Sequence, residues 1–206
     1  MRQRCQWAAA SPVLQRYHDV VWGRPVLTDQ ELFESLARQI FQSGLKMQLA
    51  LTKLPEMASV MDYWQIDAIG NYSEVKVQQL LRDPLMIKNE RKLRAVIHNA
   101  QVIQQMNDSQ QSFSDWLWAQ VGFVPLDLHQ RTNAKVLVQH PVAKRVCQEM
   151  RKQGFTFIGP RNVSFFLQDA GLLNGHWINC AQRQAGGLVS YTKKRGDLFH
   201  LVFFLS

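Results

Sequence analysis

An all-α domain with short connections is the fold class predicted, on three observations. Apolar residues recur at helical spacing behind recognisable caps, and glycine and proline punctuate the chain between those runs. Strand-like alternation is nearly absent, as are repeats and low-complexity segments. A chain of 206 residues makes one domain or two small ones, with a core large enough to need no staples.

Residues 1–27 read as irregular, yet Cys5, Trp7, Tyr17, His18 and Trp22 make them too rich for a loose tail. Something must hold them down. Thr28-Asp29-Gln30-Glu31 is a capping box, followed by Leu32, Phe33, Leu36, Ile40 and Phe41 at helical spacing, with a stop at Gly44. Gln48 to Leu54 reads as a short helix broken at Pro55. Another runs from Met57 to Ile69 and ends at Gly70-Asn71. Ser73 caps a piece through Val77, Leu80 and Leu81. Asn89 caps a longer helix from Glu90 to about Met106, with Leu93, Val96, Ile97, Ala100 and Ile103 as its stripe. Ser112 to Asp115 opens a short helix carrying Trp116 and Trp118, and Gly122 to His140 reads as a mobile loop.

Pro141 to Gln153 reads as a helix with Arg145, Arg151 and Lys152 near its C-terminal end, where cations suit the dipole. Gly154 closes it, and Gly159-Pro160 opens the next, with proline at the first helical position. Bare N–H groups at that start, with Arg161 beside them, suit a phosphate. A plain corner between two helices reads equally well. Residues 1–182 form the helical domain, leaving 183–206 as a C-terminal tail. Within that tail Gly186-Gly187 and Lys193 to Gly196 read as solvated, and the apolar run Leu198 to Leu205 as either a docked strand or a poorly ordered end.

The formal charge of +8 favours a polyanionic partner. No apolar run approaches bilayer length and residues 1–30 lack a signal-peptide core, so a reduced, cytoplasmic protein is expected, read as a monomer. Three cysteines, odd in number and far apart, argue against a disulfide framework. Cys147 falls in an apolar stripe with Val146 and Met150 and reads as core. Cys5 and His18 near one end, with His176 and Cys180 near the other, form a possible tetrahedral zinc set. One helical face or turn would present both members of the His-x-x-x-Cys pair. Four residues packed in the core is the alternative.

Several ordered motifs resemble one family. They are Arg4-Cys5-Gln6-Trp7, Tyr17-His18-Asp19-x-x-Trp22-Gly23-x-Pro25, Leu32-Phe33-Glu34 and Gln42-Ser43-Gly44-Leu45. Ile87-x-x-x-x-Lys92-Leu93-x-Ala95-x-Ile97-x-Asn99-Ala100, Gly154 to Pro160, and Gln168 to Asn174 followed by His176-x-x-x-Cys180 continue the series. The chain resembles DNA-3-methyladenine glycosylase I, the zinc-containing branch of the helix–hairpin–helix DNA glycosylases, over roughly residues 4 to 182.

The resemblance implies a base-excision enzyme on double-stranded DNA that flips out an alkylated adenine and cleaves its glycosidic bond. It implies structural zinc (Zn2+) on Cys5, His18, His176 and Cys180. Trp7, Tyr17, Gln39 and Met47 would contact the base, with Tyr17 and Gln39 at the catalytic positions. Gly44, Leu45 and Lys46 would sit at the gap left in the duplex, and Lys152, Gly159 and Arg161 would grip phosphates.

Departures fall where the chemistry lives. Gln39 stands for the family's glutamate and Met47 for its pocket tryptophan; Gly175 and Val21 replace two acids. Gln39 alone also reads as an exposed helix-surface glutamine without a role. Three functions follow: a glycosylase for alkylated adenine, a non-catalytic or altered-specificity DNA-binding relative, and a zinc-stabilised helical module for an acidic protein.

Overall fold

The computed structural model describes residues 3–131, 140–184, 189–192 and 200–203. Nine α-helices are present among them: α1 (Pro12–Val20), α2 (Asp29–Gln42), α3 (Met47–Val60), α4 (Ile66–Gly70), α5 (Glu74–Arg82), α6 (Glu90–Asp108), α7 (Phe113–Ala119), α8 (Pro141–Lys152) and α9 (Pro160–Asp169). None is long and apolar enough to cross a membrane.

α2 is the hub, touching α3 on one side, α6 on another and α9 on a third. It can serve three neighbours because Leu32, Phe33, Leu36, Ala37, Ile40 and Phe41 are all buried, a stripe wider than one face. Thr28 caps it as expected: the hydroxyl accepts the Glu31 N–H at 3.2 Å and donates to the Glu31 carboxylate at 2.7 Å. Asp29, in the first turn, also caps α7. Its carboxylate accepts the Ser112 hydroxyl at 2.9 Å and the Ser114 N–H at 2.7 Å. Ser73 and Asn89 cap α5 and α6 as expected, each accepting the N–H three residues on.

Four expectations are corrected. Residues 1–27 are not irregular: a 3-10 turn covers Gln6–Ala10, and Ser11 caps α1 with Pro12 at its first position. α3 runs unbroken through Pro55. The proline sits on the exposed face, where solvent can meet the carbonyl it deprives of an amide. The helix expected from Met57 to Ile69 is cut by Asp62, Tyr63 and Trp64, whose φ values of 47°, 49° and 61° are left-handed. Such residues cost roughly 1–2 kcal/mol each, offset here by burying the Trp64 indole in the main core. Part of the Gly122–His140 loop is tied down: Leu126–Asp127 (β1) pairs in parallel with Leu173–Asn174 (β2). Residues 132–139 lie outside the described residues.

In the tail, Val189–Thr192 (β3) and His200–Phe203 (β4) pair antiparallel, with Val189 opposite Phe203. Gly186-Gly187 and Lys193 to Gly196 lie outside the described residues. α8 and α9 pack together, joined by a turn in which Gly154 takes φ +97° and Phe157 takes φ +55°. The turn is fastened to α6: Asn99, fully buried, accepts the Thr156 N–H at 2.8 Å and donates to the Thr156 carbonyl at 3.2 Å.

Candidate active site and metal centre

The 3-10 turn and α1 bring Cys5 and His18 to the same place as His176 and Cys180. The latter pair sits in a turn, not a helix; Cys180 N–H bonds the Trp177 carbonyl at 2.8 Å. All four side chains are buried, and their ligand atoms lie within 4.8 Å of one another. Cys180 Sγ is 3.4 Å from His18 Nε2 and 3.6 Å from His176 Nδ1, and Cys5 Sγ is 3.8 Å from His176 Nδ1. A tetrahedral zinc with ordinary Zn–S and Zn–N bonds needs sulfur–nitrogen edges of about 3.5 Å. The residues fit the ion.

The surroundings fit as well. His18 Nδ1 is 2.8 Å from the Asp19 carboxylate, which leaves Nε2 for the cluster, and Arg4 braces the same carboxylate at 2.8 and 3.0 Å. Trp177 N–H donates to Cys5 Sγ at 3.4 Å. A Cβ on Gly23 would come within 2.6 Å of His176 Nε2, so that glycine makes room for the ring. Bonding from Cys5, opposed by burial and helped by His176 and His18, brings Cys180 down to about 2, while its bond to Cys180 and burial push Cys5 up. A thiolate is a metal's ligand.

Beside this cluster lies a second polar knot that the sequence did not disclose. Asp169, at the C-terminal end of α9, is buried and accepts from three groups: the Tyr17 hydroxyl, the Ser35 hydroxyl at 2.6 Å and Arg38 Nη1 at 2.5 Å. Burial and then the Asp169 charge hold the Tyr17 pKa well above its usual value, so the phenol stays protonated and donates. Gln39 in turn hydrogen-bonds Tyr17. An acid at a helix C-terminus opposes the dipole, and that was the available hint that Asp169 has other work. Lys92 was missed too, although it falls on the buried stripe of α6; it is 5% exposed.

Gln39 is 6% exposed, which overturns the surface-residue alternative. With Met47, Gly44 and Leu45 it lines a cleft of about 480 Å³ whose far wall is Arg161. Tyr17 lies behind Gln39 and faces a separate cavity of about 630 Å³ with Glu34, Arg38, Leu51 and Trp64. Trp7, half-buried, packs with Met47 on the Cys/His cluster, its ring meeting Trp22 edge-on at 5.1 Å. The base-contacting set is therefore contiguous around Tyr17 and Met47 but does not share one wall. Gly44 and Lys46 are exposed at the cleft rim, Gly44 at φ +77°. Gly159 starts α9 without a side-chain cap, leaving first-turn N–H groups beside the exposed Arg161. Lys152 is exposed and pairs with Glu149 at 2.8 Å.

A helical fold whose ends meet in a Cys/His knot, next to a polar cleft rimmed by a glycine turn and a basic helix start, defines a nucleobase-handling class of protein. A family profile described as methyladenine glycosylase matches residues 7–184, and the chain belongs to that family. It is similar to DNA-3-methyladenine glycosylase 1 of Escherichia coli strain K12, 27% identical over 178 residues, covering 86% of this chain and 95% of the relative. The DNA-3-methyladenine glycosylase of Haemophilus influenzae is 27% identical over 180 residues, covering 87% and 97%. Among solved structures, one of Staphylococcus aureus 3-methyladenine DNA glycosylase I, described for its recognition of 3-methyladenine, matches with TM-score 0.82 and 27% identity over 87% of this chain and 96% of that one. A glutamate-to-glutamine mutant of the same enzyme matches equally well, with TM-score 0.82.

Proposed function

We propose that this protein is a DNA glycosylase that removes 3-methyladenine from duplex DNA by extruding the nucleotide and hydrolysing its N-glycosidic bond. The observation that carries the reading is the family match across nearly the whole helical domain, with relatives named for that base. α8, its glycine turn and α9 act as the helix–hairpin–helix grip on phosphates, through the uncapped N–H groups after Gly159 with Arg161 and Lys152 assisting. Gly44, Leu45 and Lys46 fill the gap in the duplex, and the base enters the cleft beside Gln39 and Met47.

An adenine alkylated at N3 is cationic on the DNA, so the bond from its N9 to the sugar breaks with the electron pair leaving on the base. Water adds to the sugar carbon and loses a proton to solvent. Little acid catalysis is required; positioning and charge stabilisation suffice. Tyr17, tied to Asp169, holds Gln39 in place. Cys5, His18, His176 and Cys180 would hold a zinc ion, which supplies a structural joint between the N-terminal segment and the end of the helical domain. Three unpaired thiols suit the reducing cytoplasm. Incubating enzyme in excess with methylated duplex DNA tests the reading: free 3-methyladenine is expected above a buffer control. Its absence, with DNA still bound at low salt, would leave a non-catalytic DNA-binding relative.

A further inference from the structure

Gln42 stands three residues beyond Gln39 at the end of α2, so both side chains leave neighbouring positions on one face and both line the cleft with Met47 and Arg161. The amide oxygen of Gln42 is shielded from solvent yet accepts no hydrogen bond among the described residues. A buried acceptor without a donor is a standing cost in the free protein, and a ligand N–H that reaches it recovers that cost. The backbone beneath it is held from both sides. Lys92 Nζ reaches across from α6 to the Phe41 carbonyl at 2.8 Å and the Ser43 carbonyl at 2.5 Å, bracketing Gln42. Those carbonyls belong to the end of α2, where a cation also meets the negative end of the helix dipole.

We infer that Gln42 is a base-contacting residue, its amide oxygen accepting an N–H from the extruded nucleobase, with Lys92 as the positioning residue that keeps it aimed into the cleft. This rests on the cleft being the base site. The ligand class is a purine with an exocyclic amino group, because an amide oxygen recognises an N–H donor without needing charge on it. A cleft carrying amides at both 39 and 42 reads the edge of the base rather than its charge.

The test is a titration of the full chain with free 3-methyladenine, followed by tryptophan fluorescence. Gln42→Leu keeps approximate size and removes the acceptor, so affinity is expected to fall about tenfold while the melting temperature stays or rises. Gln42→Glu keeps an acceptor and is expected to retain most of the parent's affinity. Lys92→Met is expected to weaken binding. In the Gln42→Leu background it is expected to add nothing, whereas a purely structural lysine would lower affinity in both backgrounds. Equal affinity of the parent and Gln42→Leu overturns the assignment. So does a tenfold loss in Gln42→Glu, or a loss seen with duplex DNA and not with the free base. A parent that binds no free base removes the base-cleft reading, and this inference with it; a parent that binds while Gln42→Leu binds as well removes only this inference.

Discussion

The Cys/His cluster and the amide-lined cleft adjoin each other and obey opposite rules. In the cluster every polar atom is spoken for: two imidazoles, two thiols, Asp19, Arg4 and the Trp177 amide form one closed set. In the cleft, Gln42 keeps an acceptor without a donor, Met47 is half-buried, and the rim is bare backbone and cations. The cluster is finished without a ligand other than an ion; the cleft is finished only by something that enters it. The departures from the resembled family follow this divide. The four cluster residues keep their identity, while Gln39 and Met47 in the cleft do not. A substitution in the cluster would leave buried polar groups unmatched, whereas one in the cleft changes only what the cleft prefers.

The largest expected effect would break the cluster. Removing zinc with a chelator, or making Cys180→Ser, should lower the melting temperature by more than about 10 °C, because structural zinc contributes folding free energy on the order of 10 kcal/mol in small sites. Stoichiometric zinc in the purified protein checks this. Protein free of zinc that melts identically with and without chelator would sink the ligand assignment. Next comes the knot between the two regions. Asp169→Asn leaves the Arg38 guanidinium, a 2.5 Å partner, without its counter-charge, and should cost about 3–5 kcal/mol in denaturant unfolding. The smallest effect sharpens the cleft side. Gln39→Glu with Met47→Trp should strengthen binding and release of a cationic alkylated base by roughly tenfold, since a bond to a charged group is worth about 1.5–3 kcal/mol against about 1 for a neutral pair. Such a double variant should leave the melting temperature within a few degrees of the parent.

Local rules carried most of the helical architecture. Thr28, Ser73, Asn89 and Ser112 each sit where the cap belongs, because a cap is a contact over three residues. α1 carried the same signature at Ser11-Pro12, but the dense aromatic composition around it drew the reading toward irregular structure. Pro55 and the left-handed Asp62–Trp64 turn went wrong because tertiary burial of Leu54, Met57 and Trp64 overrode propensity. Pairing of β1 with β2 joins residues far apart in sequence and two residues long, so no periodicity could announce it. Within the site, ligand residue types were legible and partnerships were not. Nothing local says that Asp169 meets Tyr17, Ser35 and Arg38, or that Lys92 turns inward to the end of α2.

The meeting of Cys5 and His18 with His176 and Cys180 also sets an order of events in the cell. At ordinary synthesis rates, roughly ten to thirty seconds separate the emergence of the first pair from that of the second. Through that interval α1 has no companion for its buried imidazole, so the leading segment must wait on the ribosome for the last turn of the domain. A nascent chain stalled before residue 176 would expose Trp7 and Trp22, and chaperone capture or proteolysis would strike there first.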